Sequence, residues 1–335
     1  MSLLLCYGTR PEYLKIKPII EECKSRSIPY KLLYIAQHTN IEATDKPNYT
    51  ITVASADNRL DAIVGSIGTI SDSMFAGVTS VLIQGDTATA FTCALAAFHR
   101  NKTILHLEAG LRTYDLKRPY PEEAYRQMIS RIATVHLCPT SHAAANLRSE
   151  KIDTLTTVIG NTSLDNLRDV PITYQDEVLI TMHRRENLQR IESWFTAFED
   201  LASKHKQVRF TIPLHHNPGV TKYAHIFKNV NAVPAMSHAE CIALIGKCKL
   251  VITDSGGIQE EASFLKKATI VCRRSTERTE GLGTHSFLCD TPNQLAELFG
   301  KYYGKIILDP SPYGDGYAAR KLLNLLYNDK NSRIL

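Results

Sequence analysis

Two doubly wound α/β domains, each built on a parallel sheet, are what this sequence predicts, and three observations carry that prediction. Short apolar runs recur along the chain, each ending in a turn and followed by helical spacing, which is the pattern of a parallel sheet wound by helices. The pattern runs twice, before and after a polar passage from about Asp165 to Asp176 that Pro171 interrupts, and a domain boundary is expected there. A chain of 335 residues has enough length for two cores and is large for one. The expected division is residues 1–168, residues 169–315 and a last helical segment, 316–335.

Composition narrows the function. Hydrophobic residues make up 44% of the chain and charged residues 22%, the balance of a soluble globular protein. No apolar run is long enough for a membrane span. The apolar start breaks at Gly8-Thr9-Arg10 without a preceding basic segment, so a cytoplasmic location is expected rather than secretion. The 8 cysteines are scattered with no Cys-x-x-Cys pair, which favours reduced, buried thiols over a disulfide framework. A formal charge of +5 suits a small anionic substrate, and nucleic-acid binding would call for a basic stripe that is absent.

In chain order, residues 2–7 read as a strand, and Gly8-Thr9-Arg10-Pro11-Glu12 opens a helix with proline near its start. That turn lacks Gly-x-Gly-x-x-Gly, which argues against a nicotinamide or flavin cofactor; Arg10 and Lys15 offer cations over the strand end. Strands are expected at 31–36 and near 50–53, a helix around 60–75, a strand at 80–86, a buried alanine-rich helix at 87–100 and a strand at 103–108. Asp86 and Glu108 fall at strand carboxyl ends, where ligands of wound sheets sit. Two carboxylates over one edge can divide the acid and base roles, and each alone also reads as a helix cap. Arg118 to Glu123 leads into the next helix, on which Glu122 and Arg126 are four apart and share a face. Val135 to Ser141 reads as a short strand followed by a capped helix, and Thr156 to Thr162 as another strand ending in a turn, which completes the first series.

The second series begins with a strand at 177–182 that ends in His183-Arg184-Arg185-Glu186. A helix carrying Trp194, Phe195, Phe198 and Leu201 follows, then a strand at 208–212 and a helix at 237–247. His215 and His216 have no acidic or cysteine partners at zinc-like spacing, so no metal is expected. After Leu250-Val251-Ile252 come Asp254-Ser255-Gly256-Gly257 and a helix expected from Ile258 to about Lys266. Glycines admit a ligand close to the backbone, and the first-turn N–H groups with the helix dipole suit a phosphate. Glu260 and Glu261, placed by this reading in that first turn, would repel it, so at least one is expected to meet sugar hydroxyls instead. Ser255 serves equally well as the N-cap of an ordinary helix. A strand at 268–272 leads into a cationic loop from Arg273 to Arg278, and Tyr317 to Tyr327 forms the last amphipathic segment.

Taken together, these stretches resemble the non-hydrolysing UDP-N-acetylglucosamine 2-epimerases. The resemblance rests on Gly8 to Glu12 with Lys15, Gly85-Asp86-Thr87, Glu108 to Thr113, Pro121-Glu122-Glu123 with Arg126, and Gly160-Asn161-Thr162. It continues through His183 to Glu186, His215 with Asn217-Pro218, Thr253 to Ala262, Thr276-Glu277-Arg278 and Pro312 to Gly316, in the family's order over nearly the whole chain. It implies two Rossmann-like domains facing across a cleft, the GT-B arrangement, with the final helix crossing back to the first domain. The implied activity is reversible conversion of UDP-N-acetylglucosamine to UDP-N-acetylmannosamine, by elimination of UDP to a 2-acetamidoglucal and re-addition, with no cofactor. Asp86, Glu108, Glu122 and His183 match positions assigned to acid–base work or to the sugar and diphosphate beside it. Ser255, Gly256 and Gly257 match the diphosphate site and Glu261 the ribose site, while Arg10, Lys15, Arg126 and Arg278 are expected among the other substrate and nucleotide contacts. A homodimer is also implied.

The chain departs from the family pattern at several points. It is shorter after Gln37-His38, and Asp57-Asn58-Arg59 lacks the usual Arg-Gln pair with which bacterial members bind a second UDP-N-acetylglucosamine as activator. Met236 and Cys241 stand where a glutamine and an aromatic residue usually meet the uracil side. Competing readings are a hydrolysing relative that releases UDP and N-acetylmannosamine, a GT-B glycosyltransferase, and a sugar-nucleotide-binding protein without catalysis.

Overall fold

The structure, a computed structural model, describes residues 2–38, 41, 43–214 and 218–327, the side chains of Arg185, Glu186 and Pro218 aside. The chain divides into two compact units, Met1–Asn166 with Gly316–Leu335, and Leu167–Asp315. Unit 1 contains β1 (Leu3–Tyr7), α1 (Arg10–Ser25), β2 (Tyr30–Ile35), β3 (Tyr49–Ile51), α2 (Arg59–Gly65), β4 (Ser80–Gln84), α3 (Ala88–His99) and β5 (Thr103–Leu107). It continues with α4 (Glu122–Ile132), β6 (Val135–Cys138), α5 (Ser141–Ser149) and β7 (Leu155–Val158). Unit 2 contains β8 (Gln175–Thr181), α6 (Arg185–Leu188), α7 (Ile191–Lys204), β9 (Arg209–Pro213), α8 (Pro218–Thr221), β10 (Asn231–Val233) and α9 (His238–Lys247). It ends with β11 (Cys248–Thr253), α10 (Gly256–Phe264), β12 (Ala268–Val271), β13 (Ser286–Leu288) and α11 (Leu295–Tyr302), and α12 (Ala318–Tyr327) returns to unit 1.

Both sheets are parallel, ordered β3-β2-β1-β4-β5-β6-β7 and β10-β9-β8-β11-β12-β13. The order reverses between β1 and β4 in the first and between β8 and β11 in the second, and at such a switch point the helices diverge and leave a crevice at the strand carboxyl ends. The fold class expected from the sequence is therefore present, as two doubly wound parallel sheets.

Alternation along each strand builds two faces. Leu3, Leu5 and Tyr7 of β1 join one core with Ile16, Ile19 and Ile20 of α1, while Leu4 and Cys6 join the opposite core with residues of α2 and α3. Leu322, Leu323 and Leu326 of α12 complete the α1 side. The start of α12 is held by Asp165, whose two carboxylate oxygens accept the N–H groups of Ala318 and Ala319 at 3.0 and 2.8 Å, satisfying donors that a helix terminus leaves open. In unit 2, Val178 and Ile180 of β8 pack with Trp194, Phe195 and Phe198 of α7.

Two boundaries differ from expectation. The helix around 60–75 stops at Gly65: Ser66 Oγ bonds back to the Ile63 carbonyl at 2.6 Å, and the chain tightens into short 3-10 turns over Ser66–Thr69 and Asp72–Phe75. In the other direction, α10 begins at Gly256 rather than Ile258, with Ser255 as N-cap accepting from Ile258 N–H at 3.5 Å. Its first turn holds no acidic residue, so Glu260 and Glu261 belong to the second turn.

Candidate active site

In unit 1, the turn after β1 is set by a capping box, Thr9 with Glu12. The buried Glu12 carboxylate accepts from the N–H groups of Gly8 and Thr9 at 2.8 and 2.7 Å and from Thr87 Oγ1 at 2.6 Å. One carboxylate thus ties the β1 turn to the β4 turn across the switch point. Burial pushes its pKa upward against these donors. Gly8 permits the closeness, since a Cβ there would stand 2.7 Å from the Ile35 carbonyl oxygen and 2.2 Å from Thr89 Oγ1.

Asp86 follows Gly85, whose φ of 71° turns the chain out of β4, and its Oδ2 accepts from Arg126 Nη2 and Nε at 2.7 and 2.8 Å. Glu108, beyond β5, has a φ of 64°, a left-handed backbone that costs a non-glycine residue of the order of 1 kcal/mol and clusters at functional sites. Its Oε2 lies 2.5 Å from both Lys15 Nζ and Gln84 Nε2. Glu122 opens α4, and its Oε2 is buried with no hydrogen-bond partner among the described residues. Arg126 forms ion pairs with Asp86 and with Glu123, the latter 2.9 Å away. Glu123 is the buried anchor: it accepts the N–H groups of Thr113 and Tyr114 at 3.0 and 3.1 Å. These bonds, with Gln127 and Arg126, hold its carboxyl below the usual range in spite of its burial. Arg10 is the first residue of α1, in the turn after β1.

Beneath Asp86 and Glu108 lie two buried histidines that sequence reading passed over. His106 and His136 are register partners on β5 and β6, and His106 Nε2 donates to the Gly85 carbonyl at 2.9 Å. Burial lowers their pKa values to about 3 and about 4. Both rings are therefore neutral, and His106 steadies the turn that presents Asp86.

In unit 2 the organising group is Asp254, fully buried after β11. It accepts the N–H groups of His183 and Arg184 at 3.1 and 2.9 Å and Asn187 Nδ2 at 3.0 Å. This fixes the turn after β8 against the start of α10. His183 itself is exposed, with Nδ1 3.6 Å from Asp254 Oδ1. Around the α10 N-terminus stand three arginines gathered by Glu277: Arg278 Nη1 at 2.8 Å, Arg273 Nη1 at 2.9 Å and Arg184 Nη2 at 3.6 Å. Despite its burial, this positive surround holds the Glu277 carboxyl at about 2. Gly256 gives the group room, since a Cβ would meet Glu277 Oε1 at 3.0 Å, while Gly257 faces open space. Arg278 Nε also reaches Glu260 Oε1 at 2.7 Å, and Glu261 Oε1 lies 2.8 Å from His238 Nε2. Tyr313, from the turn-rich segment before α12, donates its hydroxyl to the Arg278 carbonyl at 3.1 Å.

Of the residues named from sequence, Asp86, Glu108, Glu122, Lys15, Arg10 and Arg126 belong to unit 1, and His183, Ser255, Gly256, Gly257, Glu261 and Arg278 to unit 2. His215 and Asn217 lie outside the described residues. Among the described residues no group of three or more His, Cys, Asp or Glu side chains could hold a metal ion, and no helix is long and apolar enough to cross a membrane.

The family model described as UDP-N-acetylglucosamine 2-epimerase matches residues 21–327. The UDP-N-acetylglucosamine 2-epimerase of Neisseria meningitidis is 33% identical over 374 aligned positions, covering 98% of this chain and 100% of that protein. That of Bacillus subtilis is 33% identical, covering 97% and 95%. A crystal structure of the Neisseria meningitidis UDP-GlcNAc 2-epimerase bound to UDP-GlcNAc superposes with a TM-score of 0.85 at 31% identity, covering 98% of this chain and 100% of that one. With a matching model over most of its length and relatives of this similarity, the chain belongs to the UDP-N-acetylglucosamine 2-epimerase family.

Proposed function

We propose that this protein interconverts UDP-N-acetylglucosamine and UDP-N-acetylmannosamine, with unit 2 holding the nucleotide and unit 1 moving the proton at C2. The observation that carries the reading is the pairing of each strand-end carboxylate with a cation, Asp86 with Arg126 and Glu108 with Lys15, over one sheet edge. The C2–H bond is weakly acidic, so the family's route breaks C1–O as the proton leaves. UDP departs with the bonding electrons, a 2-acetamidoglucal remains, and UDP then re-adds at C1 as C2 receives a proton on its other face. Asp86, Glu108 and Glu122 are the candidate proton carriers. Glu122, with one oxygen buried and without a partner among the described residues, has an unmet hydrogen-bonding capacity that a substrate group would satisfy.

The leaving diphosphate needs donors that are in place beforehand. The N-terminus of α10 at Ser255, Gly256 and Gly257, with Arg278 beside it, is our candidate for its cradle, and His183 the candidate for charge building on the leaving oxygen. Glu261 is assigned to the ribose. Arg10, Lys15 and Arg126 are the remaining candidate contacts. The same reading implies a cytoplasmic homodimer, which light scattering of the purified protein would test.

The deciding experiment is incubation with UDP-N-acetylglucosamine in D₂O, followed by NMR. UDP-N-acetylmannosamine carrying deuterium at C2 is expected. Free N-acetylmannosamine with stoichiometric UDP, or no exchange at C2, would overturn the reading.

A further inference from the structure

The adjacent glutamates of α10 are held by different partners, and the second partnership has a use. Glu260 is committed to Arg278, whereas Glu261 lies with its Oε1 2.8 Å from His238 Nε2. A carboxylate can only accept, so the imidazole carries its proton on Nε2 and donates. His238 is the first residue of α9, a helix start fixed by the Ser237–Glu240 capping box. The donor is therefore anchored to backbone rather than to a loop. Among the described residues, His238 is the hydrogen-bond partner of the buried Glu261 side chain, and Oε2 has none. Cys241, three residues further along α9, also senses this carboxylate: burial first, then the Glu261 charge, pushes its thiol up to about 12.

Glu261 stands five residues beyond Gly256, which is about 7.5 Å along the helix axis. That is the scale a ribose adds beyond its 5′-phosphate. We propose that His238 is the positioning residue for ribose recognition: by holding Glu261 Oε1 it aims Oε2 at the vicinal hydroxyls of the nucleotide. The proposal rests on the reading that unit 2 takes a nucleoside diphosphate. A buried carboxylate left without its hydroxyl partner is costly, so such a site rejects a ligand that lacks the group. Without His238 the carboxylate turns freely, and the rejection weakens because the hydroxyl no longer meets a fixed acceptor.

The test is calorimetric binding of UDP, 2′-deoxy-UDP and 3′-deoxy-UDP to the full-length protein and its His238→Leu and His238→Gln variants. The wild type is expected to prefer UDP over at least one deoxy analogue by about tenfold or more. His238→Leu should reduce that preference about fivefold or more by weakening UDP alone, leaving the deoxy analogue within about twofold. His238→Gln, which restores an N–H at similar reach, should recover most of it. Equal weakening of all three ligands would mean a purely structural role and would overturn the proposal, as would unchanged binding of all three or a wild type indifferent to the hydroxyls. No binding of UDP by the wild type would instead remove the nucleotide reading itself.

Discussion

Replacing Glu277 with Gln keeps the side chain's size and removes its charge from among Arg184, Arg273 and Arg278. The carboxyl titrates at about 2 in the folded protein against an ordinary 4.5, a depression of about 2.5 units. At about 1.36 kcal/mol per unit this is roughly 3 kcal/mol of stability at neutral pH. Because the folded value is the lower one, that contribution is complete above pH 4.5 and is lost as the pH falls toward 2. The variant lacks the contribution throughout, so the gap between the two proteins is widest at neutral pH and closes in acid. Urea unfolding from pH 7 to pH 3 measures it, and the chain supplies the probe: its 1 tryptophan, Trp194, is buried in the unit 2 core. Fluorescence therefore reports the unit that contains the substitution. A gap that stays constant between pH 7 and pH 3, or that widens in acid, would refute the assignment of Glu277 as the charge on which the arginines are gathered.

Other consequences follow from the same structure. Glu108→Gln places an amide before Lys15 and Gln84 and should lower C2 exchange by about 10²–10⁴-fold while UDP binding stays within about twofold; exchange at the wild-type rate would remove Glu108 from the chemistry. His106 and His136 have folded pKa values of about 3 and about 4, below the ordinary 6.5, so the unfolded chain takes up their protons first as the pH falls below 6.5 and unit 1 weakens from there. Amide exchange on β5 and β6, corrected for intrinsic rates, should show lower protection at pH 5 than at pH 7, and unchanged protection counts against neutral buried rings. Leu322→Ala empties a fully buried position of α12 and should cost unit 1 about 2–5 kcal/mol, with the Trp194 transition unmoved; a shift of that transition instead would contradict the division into units.

Much of the fold was legible because a parallel strand buried on both faces writes itself as a solid apolar run, as Ser80 to Gln84 and Leu250 to Thr253 do. The segments that reading missed are short or poorly patterned. β10 and β13 are three residues each, too brief for periodicity, and α11 at Leu295–Tyr302 follows a proline-led 3-10 turn that hides its start. The candidate site was legible where spacing carries chemistry, as at Asp86, Glu108 and the two glycines of α10. It was illegible where a residue acts on another strand's turn. Glu12 braces the β4 turn, Asp254 the β8 turn and Glu277 three arginines, and each sits in its own motif as an ordinary acidic residue. Glu260 and Glu261 were misplaced by half a turn because two glycines look like a loop, and a helix that starts on them shows no propensity signal.

The return of α12 to unit 1 also dictates an order of assembly during synthesis. The apolar faces of α1 that receive Leu322, Leu323 and Leu326 are made at the beginning of the chain, and their cover is made after all of unit 2 has been translated. A ribosome thus releases a second unit able to close its own core while the first still waits for its last helix. The early-made half is the later one to finish, and over that interval its apolar α1 surface stays uncovered on the nascent chain, the kind of exposure chaperones guard against.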